Sequence, residues 1–193
     1  IAHQVKELLS KPPLERLKDG LRVVIAGPPN AGKSTLLNAL AGREAAITSA
    51  IAGTTRDALE APTAIGGTPF LLIDTAGLRE SGDEIEAIGV DRARAHVAAA
   101  DLVLWLGEPQ KSPEATNLVI VQPKADIEAP DPAADLRVSA KTGEGIDQLA
   151  ACLIGRGREL LPREGEISVS ARHRAALGEC LEHLEEARVA TDI

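Results

Sequence analysis

The sequence predicts an α/β fold: a mostly parallel sheet with helices on both faces, plus flanking α-helical segments. Three observations predict it. Short apolar runs alternate with helical or loop stretches from about residue 20 to residue 160. A Gly-rich turn joins the first of those runs to the first of those helices. The two ends of the chain lack strand-like runs and carry apolar residues at helical spacing instead.

The elements follow in order. Val5, Leu8 and Leu9 fit one face of a short helix, and Pro12-Pro13 resets the chain before Leu14 and Leu17. Asp19-Gly20 turns into the first strand. Strands are expected at Leu21–Ala26, Ala58–Ile65, Pro69–Ile73, Leu102–Leu106, Leu118–Val121 and Leu136–Val138. Helices are expected at Lys33–Ala41, Ile85–Ala99 and Ile146–Leu160. Gly66-Gly67 reads as a hairpin turn. The stretch between Leu106 and Leu118 holds Gly107, Pro109 and Pro113 and is barely long enough for a parallel crossover, so a stub is expected there. After the break at Pro162–Gly165, residues Ser170–Ala190 place Leu177, Leu181, Leu184 and Ala187 on one helical face that needs a partner, in part the N-terminal segment. His173 and His183 on that helix read as solvated side chains. The domain reading is therefore 1–19 as an N-terminal helical segment, 20–161 as the nucleotide-binding domain and 162–193 as a C-terminal helical segment.

Composition narrows the function. The chain has 193 residues, room for one well-cored domain and a small appendage. Hydrophobic residues make up 44% and aromatics 1%, so the core must be aliphatic. A net charge of −8 opposes tight non-specific binding to nucleic acid. Cys152 and Cys180 are far apart and not in a metal spacing, which suits reduced thiols in the cytoplasm. No apolar run approaches a membrane span and no signal-peptide pattern appears. There is no Met, even at position 1, so the sequence is expected to be a fragment or a processed form.

The chemistry begins at Gly27-Pro28-Pro29-Asn30-Ala31-Gly32-Lys33-Ser34, a complete G-x-x-x-x-G-K-[ST] phosphate loop between a strand and a helix. This makes the predicted class a P-loop NTPase. Backbone N–H groups from Asn30 to Thr35 (Asn30, Ala31, Gly32, Lys33, Ser34, Thr35) and the positive end of the helix converge on polyphosphate. Lys33 is expected at the β- and γ-phosphates and Ser34 on Mg²⁺. Asp74-Thr75-Ala76-Gly77 follows an apolar strand. There Asp74 suits a second-shell Mg²⁺ contact and Gly77 an N–H to the γ-phosphate. Gly53-Thr54-Thr55-Arg56-Asp57 lies between the two elements, where a Thr completes the Mg²⁺ shell only with the γ-phosphate present, a switch. Pro123-Lys124-Ala125-Asp126 follows another strand. Asp126 accepts from the guanine N1–H and exocyclic amine, which adenine does not offer in that arrangement. Lys124 lies across the base, and Ser139-Ala140-Lys141 offers a backbone N–H to the guanine O6.

In this order the elements resemble the translation-factor-type GTPases. The strings GPPNAGKSTLLNAL, GTTRD, DTAGLRESGDEIEAIGVDRA and SAKTGEG are similar to the G domain of the MnmE (TrmE) family of tRNA-modification GTPases, closely over about residues 20–160. The flanks look like pieces of that family's helical domain. The resemblance implies a K⁺ site at Asn30 and the carbonyls of Ser49 and Ile51, and Thr55 on Mg²⁺ with Ser34. It also implies Glu86 as the acid that positions the attacking water, so that Lys33, Glu86 and Thr55 carry catalysis. Without the resemblance, Glu86 is one more exposed acid. Leu78 stands where Ras-like proteins carry a water-orienting Gln, and Arg56 and Arg79 are solvated switch residues. The implied partners are GTP and GDP, an MnmG-type flavoprotein, tRNA and a second G domain.

Three departures matter. Pro123 replaces the Asn of the usual Asn-Lys-x-Asp, so guanine preference is expected to survive through Asp126 with weaker affinity. The family's N-terminal dimerising, folate-binding domain and its C-terminal Cys-containing tail do not appear, and Cys180 is not that tail residue. The chain alone is therefore not expected to modify tRNA. The expected activity is Mg²⁺- and K⁺-dependent GTP hydrolysis that drives conformational change in wobble-uridine modification. The competing readings are an Era- or EngA-like ribosome-assembly GTPase and a nucleotide-binding switch with negligible hydrolysis.

Overall fold

The computed structural model describes residues 2–42, 60–75, 93–162 and 169–191. Its sheet has six strands: β1 Leu21–Ala26, β2 Glu60–Ile65, β3 Thr68–Asp74, β4 Leu102–Trp105, β5 Leu118–Gln122 and β6 Leu136–Arg137. The spatial order is β2-β3-β1-β4-β5-β6. Every neighbouring pair is parallel except β2–β3. That exception is the hairpin read from Gly66-Gly67, whose φ values of +56° and +77° suit the tight turn that sets Ile65 opposite Thr68. The helices are α1 Ala2–Ser10, α2 Glu15–Asp19, α3 Lys33–Gly42, α4 (residues 93–98), α5 Ile146–Leu160 and α6 Ala171–Thr191.

Alternation along the central strands builds two cores. Val23 and Ile25 of β1, Phe70 and Leu72 of β3, Leu102 and Leu104 of β4 and Val119 and Val121 of β5 face one side. There α3 contributes Leu36 and Leu40, and α5 contributes Ile146, Leu149 and Leu153. Val24, Ala26, Ile73 and Val103 face the other side, against Val97 and Ala100. Strands buried on both faces read as continuous apolar runs, which is why their positions were legible. Each fully buried Leu contributes about 1.5–3 kcal/mol of transfer free energy, so truncating Leu149 or Leu153, both 0% exposed, opens the larger core.

The connection from β4 to β5 is the expected stub. It makes one 3₁₀ turn, Pro109–Lys111, and is pinned where the Trp105 Nε1–H donates to the Glu108 carbonyl at 3.0 Å. β4 ends at Trp105, one residue before the expected boundary, and Leu106 donates its N–H to Ala26. Leu14 and Leu17 flank and join the short helix α2, and both are about half exposed.

Arg16 of α2 ties the flank to the sheet. It donates to the Leu160 carbonyl at 3.0 Å and pairs with Asp101 at 2.5 Å, while the other Asp101 oxygen accepts from the Arg22 N–H. α1 pairs with α6, as the apolar face of the last helix required: Arg174 donates to the carbonyls of Leu9 and Lys11. His173 and His183 are exposed. Among the described residues no helix is long and apolar enough to cross a membrane.

Candidate functional site

The phosphate loop grows out of the centre of the sheet. β1 ends at Ala26 and the chain turns at Gly27, φ +152°. A Cβ at Gly27 would lie 2.6 Å from the Leu106 carbonyl oxygen, so only glycine lets the loop lie against the end of β4. Asn30 at φ +60° and Gly32 at φ +92° curl the loop into α3, which starts at Lys33. Ala31 is buried, whereas Asn30, Ser34 and Thr35 are exposed.

Lys33 is only 5% exposed, and a buried ammonium needs acceptors. Its Nζ donates to the carbonyls of Gly27 at 3.0 Å and Pro28 at 2.8 Å, which holds the charge across the loop. The parallel register sets Asp74 opposite Ile25, level with the loop's beginning. Asp74 is 5% exposed and accepts a hydrogen bond from the Ser34 hydroxyl. Thr75 donates its hydroxyl to the Ile25 carbonyl at 3.0 Å and fastens the end of β3 to β1. The result is a hydroxyl and a carboxylate beside an ammonium at the start of a helix. Hard oxygen donors of this kind suit Mg²⁺, and the helix terminus with Lys33 suits polyphosphate.

The base side is assembled from two separated loops. Lys124 sits at φ +54°, and its carbonyl accepts from the N–H groups of Ile127 and Glu128, both at 3.0 Å. The Ala125 N–H donates to Val138 at 3.0 Å, which brings residues 123–128 against the Ser139 turn. Ser139 is 1% exposed, accepts from the Thr142 N–H at 3.2 Å and accepts at its carbonyl from Gly143 at 2.8 Å. The Ser139 hydroxyl beside Asp126 holds that carboxyl below its ordinary value of 3.8, and Lys141 adds to the effect. Asp126 is exposed and stays ionised at neutral pH. Asp126 and Ser139 thus come together, with Ala140 and Lys141 in the turn that follows.

Two clefts flank the phosphate loop. One of about 680 Å³ is lined by Gly27, Lys33, Thr75, Val97 and Trp105 among others. The other, about 370 Å³, runs from Asn30 and Ala31 past Gly107 to Pro123 and Lys124. Asp126 and Ser139 lie outside its lining.

A family model described as "50S ribosome-binding GTPase" matches residues 22–129, from β1 through the base-side loop. The chain belongs to that GTPase family. Its domain is therefore that of a GTP-hydrolysing enzyme. The tRNA modification GTPase MnmE of Rhizorhabdus wittichii is 61% identical over 91% of this chain and 40% of its own length. That of Erythrobacter litoralis is 56% identical over 96% of this chain and 44% of its own length. These relatives bear out the MnmE resemblance, and the chain spans less than half of their length. Among solved structures, a GTP-binding protein from Sulfolobus solfataricus in complex with GDP superposes with a TM-score of 0.53 at 14% identity, over 77% of this chain and 56% of that one. This likeness concerns the fold alone.

Of the residues singled out in the sequence, Asn30 to Thr35 and Asp74 lie at the phosphate loop, and Lys124, Asp126 and Ser139 to Lys141 lie in the two base-side loops. Ser49, Ile51, Thr54, Thr55, Arg56, Gly77, Leu78, Arg79 and Glu86 lie outside the described residues. Sequence reasoning missed Thr75, although its place in Asp-Thr-Ala-Gly was a signal. It also missed Gln122 and Arg137. Gln122 donates to the Ala129 carbonyl at 2.5 Å and accepts from the Asp131 N–H at 2.9 Å. Arg137 donates to the carbonyls of Ala125 at 3.0 Å and Glu128 at 3.2 Å. No local pattern announces such contacts.

Proposed function

We propose that this chain carries the GTP-hydrolysing part of a tRNA wobble-uridine modification enzyme of the MnmE kind. It would act in the cytoplasm through a conformational cycle, with residues 20–161 as the G domain and residues 1–19 and 162–193 as pieces of a helical domain. The likeness at 61% identity over 91% of the chain carries the reading. The site supports it. Lys33 faces the phosphates and neutralises charge on the transferred group, and the loop N–H groups from Asn30 to Thr35 orient it. Ser34 and Asp74 are the described residues that would hold Mg²⁺, with Thr55 joining them when the γ-phosphate is present and Gly77 offering its N–H to that phosphate. When bound, Mg²⁺ neutralises charge on the β- and γ-phosphate oxygens. Asn30, Ser49 and Ile51 would hold K⁺, and Glu86 would orient the water. Asp126, Lys124 and the Ser139–Lys141 turn would select guanine. Pairing of two G domains, an MnmG-type flavoprotein and tRNA are the proposed partners of the whole protein.

The family description leaves a ribosome-assembly GTPase as the second reading. Steady-state GTP hydrolysis at fixed Mg²⁺, in KCl against NaCl of equal ionic strength, separates the two. We expect K⁺ to stimulate turnover and Glu86→Ala to remove it. Equal rates in the two salts would overturn the K⁺ site and favour the second reading.

A further inference from the structure

Pro123 leaves the base-side loop with a structural deficit. It offers neither a backbone N–H nor a side-chain amide, so the first residue of the loop makes no donor contact. The loop is nevertheless closely tied from two other places. From β5, Gln122 uses both ends of its amide: Nε2–H to the Ala129 carbonyl and Oε1 from the Asp131 N–H. From β6, the Arg137 guanidinium donates to the carbonyls of Ala125 and Glu128, which bracket Asp126. The Arg137 Nε lies buried without a protein partner among the described residues. The guanidinium is thus set by the loop's carbonyls and not by the best hydration of its own N–H groups.

These contacts have a consequence for recognition. Asp126 is exposed and has no backbone ladder to hold it, so its direction follows from the turn it stands on. That turn is fixed on both sides of Asp126 by a single guanidinium nitrogen, Arg137 Nη2, which donates to both carbonyls. Asp126 reads the base only if its carboxylate is held in line with the two adjacent guanine donors. A loose carboxylate keeps its charge and loses its alignment.

We infer that Arg137 and Gln122 are positioning residues for guanine specificity: acting through Asp126, they preform the base-recognition loop in place of the anchor that Pro123 lacks. The inference rests on the guanine-nucleotide reading of this site. It assigns them no contact with the nucleotide.

The test is competition of GDP and ADP against ribose-labelled fluorescent GDP on the 193-residue chain, with thermal midpoints measured in parallel. Arg137→Met is expected to weaken GDP about tenfold, with ADP unchanged, because loss of a charged-donor hydrogen bond is felt at the base alone. Arg137→Lys should recover only part of the loss. Gln122→Ala, which cuts the other tie and leaves the guanidinium in place, should move the ratio in the same direction. In an Asp126→Ala background, Arg137→Met should change GDP affinity no further. A lowered thermal midpoint with an unchanged GDP:ADP ratio in both single variants means a merely structural role and overturns the inference. Equal binding of GDP and ADP by the unaltered chain overturns the guanine reading, and the inference falls with it.

Discussion

The two halves of the nucleotide site are built by different means. The phosphate half is made of contiguous residues whose geometry comes from the backbone. Gly27, Asn30 and Gly32 set the curve, Lys33 is held by carbonyls of its own loop, and Asp74 arrives by the β1–β3 register. The base half joins residues 122–131 to residues 137–144 by two backbone bonds of Val138 and by the Arg137 side chain, while the Gln122 and Ser139 side chains brace each loop from within. The first is rigid because it is continuous with the core. The second depends on its side-chain contacts as well. The phosphate half should therefore fail for every nucleotide at once, and the base half for guanine nucleotides selectively.

The largest effect tests the first half of that contrast. Lys33→Ala removes a buried ammonium from the middle of the loop. We expect turnover of GTP to fall by about a thousandfold or more, because the charge that develops on the phosphoryl oxygens loses its nearest neutralising group. Affinities for GDP and ADP should fall by similar factors. Measured by single-turnover hydrolysis and nucleotide titration, a selective loss of GDP over ADP would break the separation of the two halves, and unchanged hydrolysis would remove Lys33 from the mechanism.

A smaller effect, in the opposite direction, tests the second half. Pro123→Asn restores a donor and an amide at the entrance to the base-side loop. GDP affinity should rise about three- to tenfold, the scale of one net hydrogen bond, with ADP unchanged. The gain should be larger when Arg137 is also replaced, since the new anchor then substitutes for the missing one. No gain in either background, by the same competition titration, would mean that the loop is already fully ordered without a residue-123 anchor.

The same contrast explains what could be read from the sequence. The phosphate loop was legible because eight consecutive residues, Gly27 to Ser34, contain its geometry. The strands that position it were legible because Val23 to Ala26 and Phe70 to Ile73 are buried on both faces and so uninterrupted by polar residues. Asp126 and Ser139 were legible as types in short motifs. That the Ser139 hydroxyl lies beside Asp126 and lowers its pKa was not, and neither were the contacts of Arg137 and Gln122. Each is a side-chain bond whose partner is chosen by the packing of β5 on β6, and β6 is only two residues long. Arg16 shows the same limit at the opposite end of the sheet. It reads as an ordinary surface cation in a polar helix, yet it joins Leu160 to Asp101.

The smallest expected effect is a flat response to pH, and its sign follows from Asp126. Its carboxyl is held below 3.8 by the Ser139 hydroxyl and then by Lys141. A carboxyl whose folded value is depressed contributes fully above its unfolded value and loses that contribution as the pH falls through the folded one. The contribution of Asp126, to the turn and to the base, is therefore complete from neutral pH down to the ordinary aspartate range, and declines only below 3.8. GDP affinity measured between about pH 8 and pH 5 should carry no Asp126-dependent step. Ser139→Ala lets the carboxyl return upward toward its ordinary value and leaves that interval flat, because the ordinary value itself lies below it. A step within the interval that disappears in Asp126→Asn would show that Asp126 is held in its protonated form. A protonated Asp126 would donate to the base where guanine needs an acceptor, and the division between a backbone-built phosphate half and a side-chain-braced guanine half would then fail at its most specific residue.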